Sequence, residues 1–180
     1  DDTPPVVGGV YHGSPVERSL FQSNCTHVQV WWQAPLDLES GVAQYSWSLG
    51  TGDQSDNVLP RTTITGVTPL SAEYRGTASG LDHGCTVPPF GTIIATLYVT
   101  NGAGLESVAV SEGVYVDPTP PIPGGVFVGF DRSNAVYQMG DAGVQASWTR
   151  FTDDESDIDV RFLLVRVRFV KVVGGVCAWC

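Results

Sequence analysis

Apolar and polar residues alternate over short runs along most of this chain, and no stretch of usable length carries helical spacing. Val28-Gln29-Val30-Trp31-Trp32 alternates as a half-buried strand does. Ala43 to Leu49 alternates as well, with Tyr45, Trp47 and Leu49 on one face. Between them, "QAPLDLESG" reads as a loop marked by Pro35 and Gly41. Residues 50–61 read as a polar loop and "TTITGV" (62–67) as a short strand. Residues 68–90 mix short strand signals with turns and do not fix a path. "GTIIATLYVTNGAGLES" (91–107) is clearer. Ile93, Ala95, Leu97 and Val99 share one side, Asn101-Gly102-Ala103-Gly104 makes a hairpin turn, and "SVAVSEGVYVD" returns as a strand. Short strands separated by turn residues predict an all-β sandwich.

The chain also repeats itself. "DDTPPVVGGVYHG" (1–13) returns as "DPTPPIPGGVFVG" (117–129), an offset of 116. At that offset Trp32 meets Trp148, Glu39-Ser40 meets Glu155-Ser156, and Val42 meets Ile158. Internal periodicity bounds architecture better than local propensity does. It predicts one complete unit over 1–116 and a partial second unit over 117–180.

"VQVWWQAPLDLESGVAQYSWSLGT" followed by "GTIIATLYVTNGAGLES" resembles a fibronectin type III or closely related immunoglobulin-like repeat, in particular the tandem repeats of extracellular proteins joined by D-x-T-P-P. The resemblance implies immunoglobulin-like sandwiches, one complete and one partial. It implies a core in which Trp32 packs under Tyr45, beside Trp47, with Trp148 in the matching place of the second unit. It does not carry the tyrosine of the penultimate strand, where Ile94 stands, and the position matching Tyr45 in the second unit is Arg161. Such folds host many unrelated activities.

Charge narrows the partners. The net charge of −10 argues against nucleic acid, which needs a basic surface. Residues 161–180 carry Arg161, Arg166, Arg168 and Lys171 and no acid, so +4. The other 5 bases and all 19 acids leave −14 on residues 1–160. No apolar run reaches the ~18–20 residues of a membrane-spanning helix, and the chain opens without a basic start and apolar stretch, so any signal peptide is expected to be already removed or outside this sequence. The four cysteines form no paired CxxC zinc signature. Cys25 and Cys85 are expected to pair as a disulfide, the alternative being two buried thiols. Cys177 and Cys180 are expected to form a local disulfide or to staple elsewhere. Asn24-Cys25-Thr26 is an N-glycosylation triplet. Together these place the chain outside the cell or on its surface.

The end of the chain supplies the functional expectation. "DVRFLLVRVRFVKVVGGVCAWC" has high β-propensity, and half a sandwich leaves an apolar face and strand edges open. Three readings stand: the repeat is cut short, the tail lies back along the first unit, or a second copy completes it. The third makes the protein a structural subunit of a fibre or surface filament, self-associating head to tail by strand pairing. Phe162, Leu164, Val165, Arg166, Val167, Arg168 and Phe169 would form the coupling strand. The alternative is an adhesion module for glycan or protein. "TDDESDID" (152–159) puts Asp153, Glu155, Asp157 and Asp159 close enough in sequence to be weighed as a Ca²⁺ site, against an acidic solvated turn. No other cofactor is expected. His12, His27 and His83 come without a GxSxG nucleophile elbow, so catalysis is not expected.

Overall fold

A computed structural model describes residues 1–14, 16, 18–65, 70–76, 84–128, 146–156, 158, 170–173 and 176–179, of which 128, 170–173 and 176–179 are described by backbone alone. The chain is all-β. It divides into two compact units, Asp1–Ile122 with Asp153–Ser156, and Pro123–Thr152 with Asp157–Cys180. The division after Ile122 falls later than the repeat boundary after Val116, and the loop 153–156 groups with the first unit.

The first unit contains β1 (Val10–His12), β2 (Phe21–Gln22), β3 (His27–Trp32), β4 (Val42–Gly50), β5 (Leu59–Ile64), β6 (Ser71–Arg75), β7 (Gly91–Asn101), β8 (Glu106–Val110) and β9 (Val114–Val116). One sheet has the order β1-β3-β6. In the other, β4 lies between β5 and β7. The far edge of β7 is shared by β8, opposite Thr96–Thr100, and β9, opposite Gly91–Ile93. β2 extends this sheet by pairing parallel to β9.

The alternation seen in the sequence becomes the core. Val28, Val30 and Trp32 face Tyr45, Trp47, Leu49, Ile93, Ala95, Leu97 and Val99, all buried in one cluster. The rings of Trp32 and Tyr45 stack with centroids 6.2 Å apart, as the resemblance implies. Each large apolar side chain buried there contributes roughly 1.5–3 kcal/mol. The outer face is closed in places too. Arg61 lies over the Tyr98 ring at 4.0 Å, donates through Nε to Ser46 Oγ at 3.0 Å, and pairs with Glu106.

Two strand expectations change. The return strand is not continuous. It breaks between β8 and β9, where Gly113 takes a φ of 92° and the Ser111 hydroxyl accepts the Ala95 N–H at 2.9 Å. The reading of 50–61 as loop ends early, because β5 starts at Leu59.

The second unit contains β10 (Val126–Val128), β11 (Ala146–Trp148), β12 (Val170–Val173) and β13 (Val176–Trp179). Its first pair copies the first unit. Val126↔Trp148 and Phe127↔Ser147 repeat Val10↔Trp32 and Tyr11↔Trp31 at the offset of 116. The hydrogen bond Thr149 N–H to Gly125 O (2.9 Å) likewise repeats Gln33 N–H to Gly9 O (3.2 Å). In both units an aromatic ring folds back over the glycine two residues before it. A Cβ at Gly9 would fall on the Tyr11 ring, and one at Gly125 on Phe127. That close approach explains the repeated "GGVY" and "GGVF" phrases.

The likeness does not extend to burial. Trp148 was expected in a core and is 52% exposed. Among the described residues its strand pairs with β10 in a two-stranded sheet, and Arg161, at the position matching Tyr45, lies outside the described residues. Of the β-prone run from Phe162 to Val173, the described part, Val170–Val173, is a strand. β12 and β13 form an antiparallel hairpin, Val170 opposite Trp179 and Val173 opposite Val176. Phe162, Leu164, Val165, Arg166, Val167, Arg168 and Phe169 lie outside the described residues.

Candidate functional site

Among the described residues, a dense set of polar contacts ties the D-x-T-P-P segment to a loop of the first unit. Asp37, three residues before Ser40, turns the loop after β3. Its Oδ1 accepts the N–H groups of Glu39 (3.2 Å), Ser40 (2.9 Å) and Gly41 (2.9 Å), the local bonding that suits Asp to turns. Asp1 Oδ1 accepts the Thr3 N–H at 3.1 Å, and Asp1 Oδ2 accepts the Ser40 hydroxyl. The Thr3 hydroxyl donates to Glu39 Oε2 at 3.0 Å. Val6 and Leu36 exchange both backbone bonds, at 2.8 and 2.9 Å.

Asn101, at the end of β7 and 2% exposed, sits at the centre. Its Nδ2 donates to Asp1 Oδ2 (2.7 Å), Thr3 O (3.0 Å) and Asp37 Oδ2 (3.1 Å). Its Oδ1 accepts the N–H groups of Ala103 (3.1 Å) and Leu105 (2.8 Å). One side chain therefore holds the D-x-T-P-P segment, the β3–β4 loop and the β7–β8 hairpin together. The Asn101 amide, joined by the backbone donors of Ser40, Gly41 and Glu39, keeps the Asp37 carboxyl below its ordinary range against a smaller opposing effect of desolvation.

The same knot is tied again 116 residues on. Asp117, 5% exposed, accepts the Thr119 N–H (3.0 Å) and hydroxyl (2.8 Å) on Oδ1. Asp153 Oδ1 accepts the N–H groups of Glu155 (3.2 Å) and Ser156 (2.9 Å) and the Ser156 hydroxyl (3.2 Å). Burial acts most strongly on Asp117 and raises its pKa. Hydrogen bonds from Ser156 and Thr119 together outweigh it and hold the carboxyl below its usual value. The position matching Asn101 lies past residue 180.

Asp117, Asp153 and Glu155 offer carboxylate oxygens within 4.8 Å of one another. Two of the four residues weighed for Ca²⁺, Asp153 and Glu155, are thus together, with Asp117 as their third member. Asp157 and Asp159 lie outside the described residues. Three carboxylates fall short of the six to eight oxygens Ca²⁺ takes. In the first knot the matching acids Asp1 and Asp37 are bridged by an amide.

The other predicted residues are spread over the first unit. Cys25 and Cys85 form a disulfide. Cys177 lies on β13 and Cys180 outside the described residues. Asn24 is exposed, one residue from that disulfide. Trp31, on the outer face opposite Trp32, lies 4.7 Å from the Tyr11 ring, which Arg18 covers at 3.8 Å. His27 pairs with Glu73 at 3.2 Å near the surface, and His83 is outside the described residues.

His12, not expected to be catalytic, is a packed histidine. It is buried, and its Nε2 lies 3.0 Å from Ser111 Oγ. Because Ser111 also holds the Ala95 N–H, the pair joins β1 to β7 and the β8–β9 break, and so ties one sheet to the other. The cavity beside it, lined by Val10, Ser19, Leu20 and Glu112 among others, is about 10 Å³, room for one water molecule. Asn101 and Asp1 were missed as a site. Their signal was the repeated Asp and Thr of D-x-T-P-P. No protein-family model matches the chain, and no curated protein matches it in sequence.

Proposed function

We propose that this is an extracellular structural protein made of immunoglobulin-like repeats, a subunit of a fibre or surface filament that assembles head to tail by β-strand pairing. The observation that carries the reading is the duplicated knot. The same Asp, Thr, Asp and Ser bond set recurs at an offset of 116, which is what a chain of serially linked repeats requires. Sheet order supports the immunoglobulin-like identity, with β1-β3-β6 against β5-β4-β7-β8/β9 and β2 parallel to β9. Head-to-tail coupling is supported by the sequence of the tail. The apolar and basic run 162–169 supplies a segment suited to add to an open edge of another copy.

Light scattering tests it. The full chain should grow in mass with concentration, and a Val165→Asp/Val167→Asp variant should not. If both remain monomers, the filament reading fails and the chain is an adhesion module for glycan or protein ligands instead.

A further inference from the structure

Asn24-Cys25-Thr26 places a glycan acceptor and a disulfide on adjacent residues, and the fold locks all three. Asn24 is exposed. Its Oδ1 accepts the Thr26 N–H (2.9 Å) and the Thr26 hydroxyl (3.0 Å), and no hydrogen bond among the described residues uses its Nδ2. The three backbone carbonyls of the triplet are all engaged. The Asn24 carbonyl accepts Gln22 Nε2 at 2.6 Å. The Cys25 carbonyl accepts the N–H groups of Thr86 (2.9 Å) and Val87 (3.0 Å). The Thr26 carbonyl accepts the Gly76 N–H at 3.0 Å. Cys25 itself is 8% exposed and bonded to Cys85, which is 0% exposed.

We propose that Asn24 carries an N-linked oligosaccharide, and that it must be attached before the Cys25–Cys85 bond closes. The proposal rests on the extracellular reading. A transferase has to take the amide nitrogen, the hydroxyl and the backbone between them into its own cleft. In the folded protein that backbone is held by β6's end, by residues 86–87 and by the disulfide. In the reduced, open chain it is free to be taken.

Two steps therefore compete for one segment. In the first, a bond forms between Asn24 Nδ2 and the anomeric carbon of an activated glycosyl diphosphate. The anomeric C–O bond breaks, the diphosphate leaves with the electron pair, and an amide proton passes to a base. In the second, the two thiols lose two protons and two electrons to a disulfide-bearing oxidant, whose own disulfide is reduced to two thiols. Once formed, the glycan stays on an exposed side chain and does not obstruct closure. Once closed, the disulfide blocks transfer.

The test is synthesis of the full chain into a eukaryotic secretory lumen under oxidising conditions. Glycan occupancy at Asn24 is read by peptide mass with and without amidase release. Wild type is compared with Cys85→Ala and with Cys25→Ser, which keeps the acceptor triplet, and Thr26→Ala is the unglycosylated control. Transfer acts on the unfolded chain, so the result does not depend on whether the cysteine variants fold. The expected result is a severalfold lower occupancy in wild type than in both cysteine variants, with the difference removed by a thiol reductant during synthesis. Equal occupancy in wild type and variants overturns the ordering, and no glycan on any of them overturns the site. Neither result depends on assembly, so a filament that fails to form leaves this inference standing, and the reverse also holds.

Discussion

His12 shows how a single residue sets a pH limit on this sandwich. Burial lowers its pKa from 6.5 to about 4, because its charged form loses water between the sheets. Below pH 6.5 the unfolded chain binds a proton that the folded chain resists until about pH 4. Stability therefore falls as pH drops through that window and flattens below it, by up to about 3 kcal/mol. Denaturant melts at a series of pH values should show this slope in wild type and lose it in His12→Gln. Asp37 and Asp117, with lowered pKa values, act at more acidic pH. Their stabilisation is present above the ordinary carboxylate pKa and is lost as pH falls through their depressed values. Asn101 is the other residue whose surroundings make it decisive. Asn101→Ala leaves Asp1, Thr3 and Asp37 without their shared donor and should lower stability by about 1–3 kcal/mol. A cut next to Thr3 by a protease of broad specificity should become faster in the same variant, since the segment is then held less tightly.

At the scale of elements, the faces of β3, β4 and β7 were legible because each strand buries one side under the other sheet. Alternation in Val28/Val30/Trp32, Tyr45/Trp47/Leu49 and Ile93 to Val99 records that burial directly. β6 was not legible. It is a mostly exposed edge strand, Ser71 to Arg75, whose polar residues carry no burial signal. The β8–β9 break was hidden because a serine side chain and a positive-φ glycine replace regular pairing there, and neither interrupts the apolar alternation. Trp148 misled for a related reason. Sequence identity with the Trp32 position carries strand register, which is reproduced, but not burial, since burial is set by what packs on the strand rather than by its own residues. The knots escaped because their partners are distant in sequence, Asn101 meeting Asp1 and Asp37 only once the sheets are formed. The disulfide was legible from the even cysteine count in a β-rich chain. It closes a separation of 60 residues, from the start of β3 to the approach to β7. Chain-entropy reasoning puts its contribution near 4 kcal/mol. A Cys25→Ala/Cys85→Ala variant should lose up to about that amount in urea unfolding, with a steeper slope against denaturant, because the unfolded chain without its cross-link is less compact and exposes more surface.

For the whole molecule, the uneven charge predicts how assembly would respond to salt. Residues 161–180 carry +4 and residues 1–160 carry −14. In head-to-tail coupling, a basic segment of one copy approaches the acidic body of the next, and the long-range field accelerates encounter more than it strengthens the final contact. The contact itself would be made by backbone pairing and by Phe and Val side chains of the coupling segment, which salt does not screen. Raising salt from roughly 0.1 M to roughly 1 M shortens the screening length from about 10 Å to about 3 Å. The rate of mass growth should then fall while the final extent at a given concentration changes little. Time-resolved light scattering at the two salt concentrations separates these quantities. Loss of extent together with rate would mean that charge alone holds the copies together, and strand pairing would be the wrong mechanism. An unchanged rate would mean that the basic segment does not meet the acidic body at all.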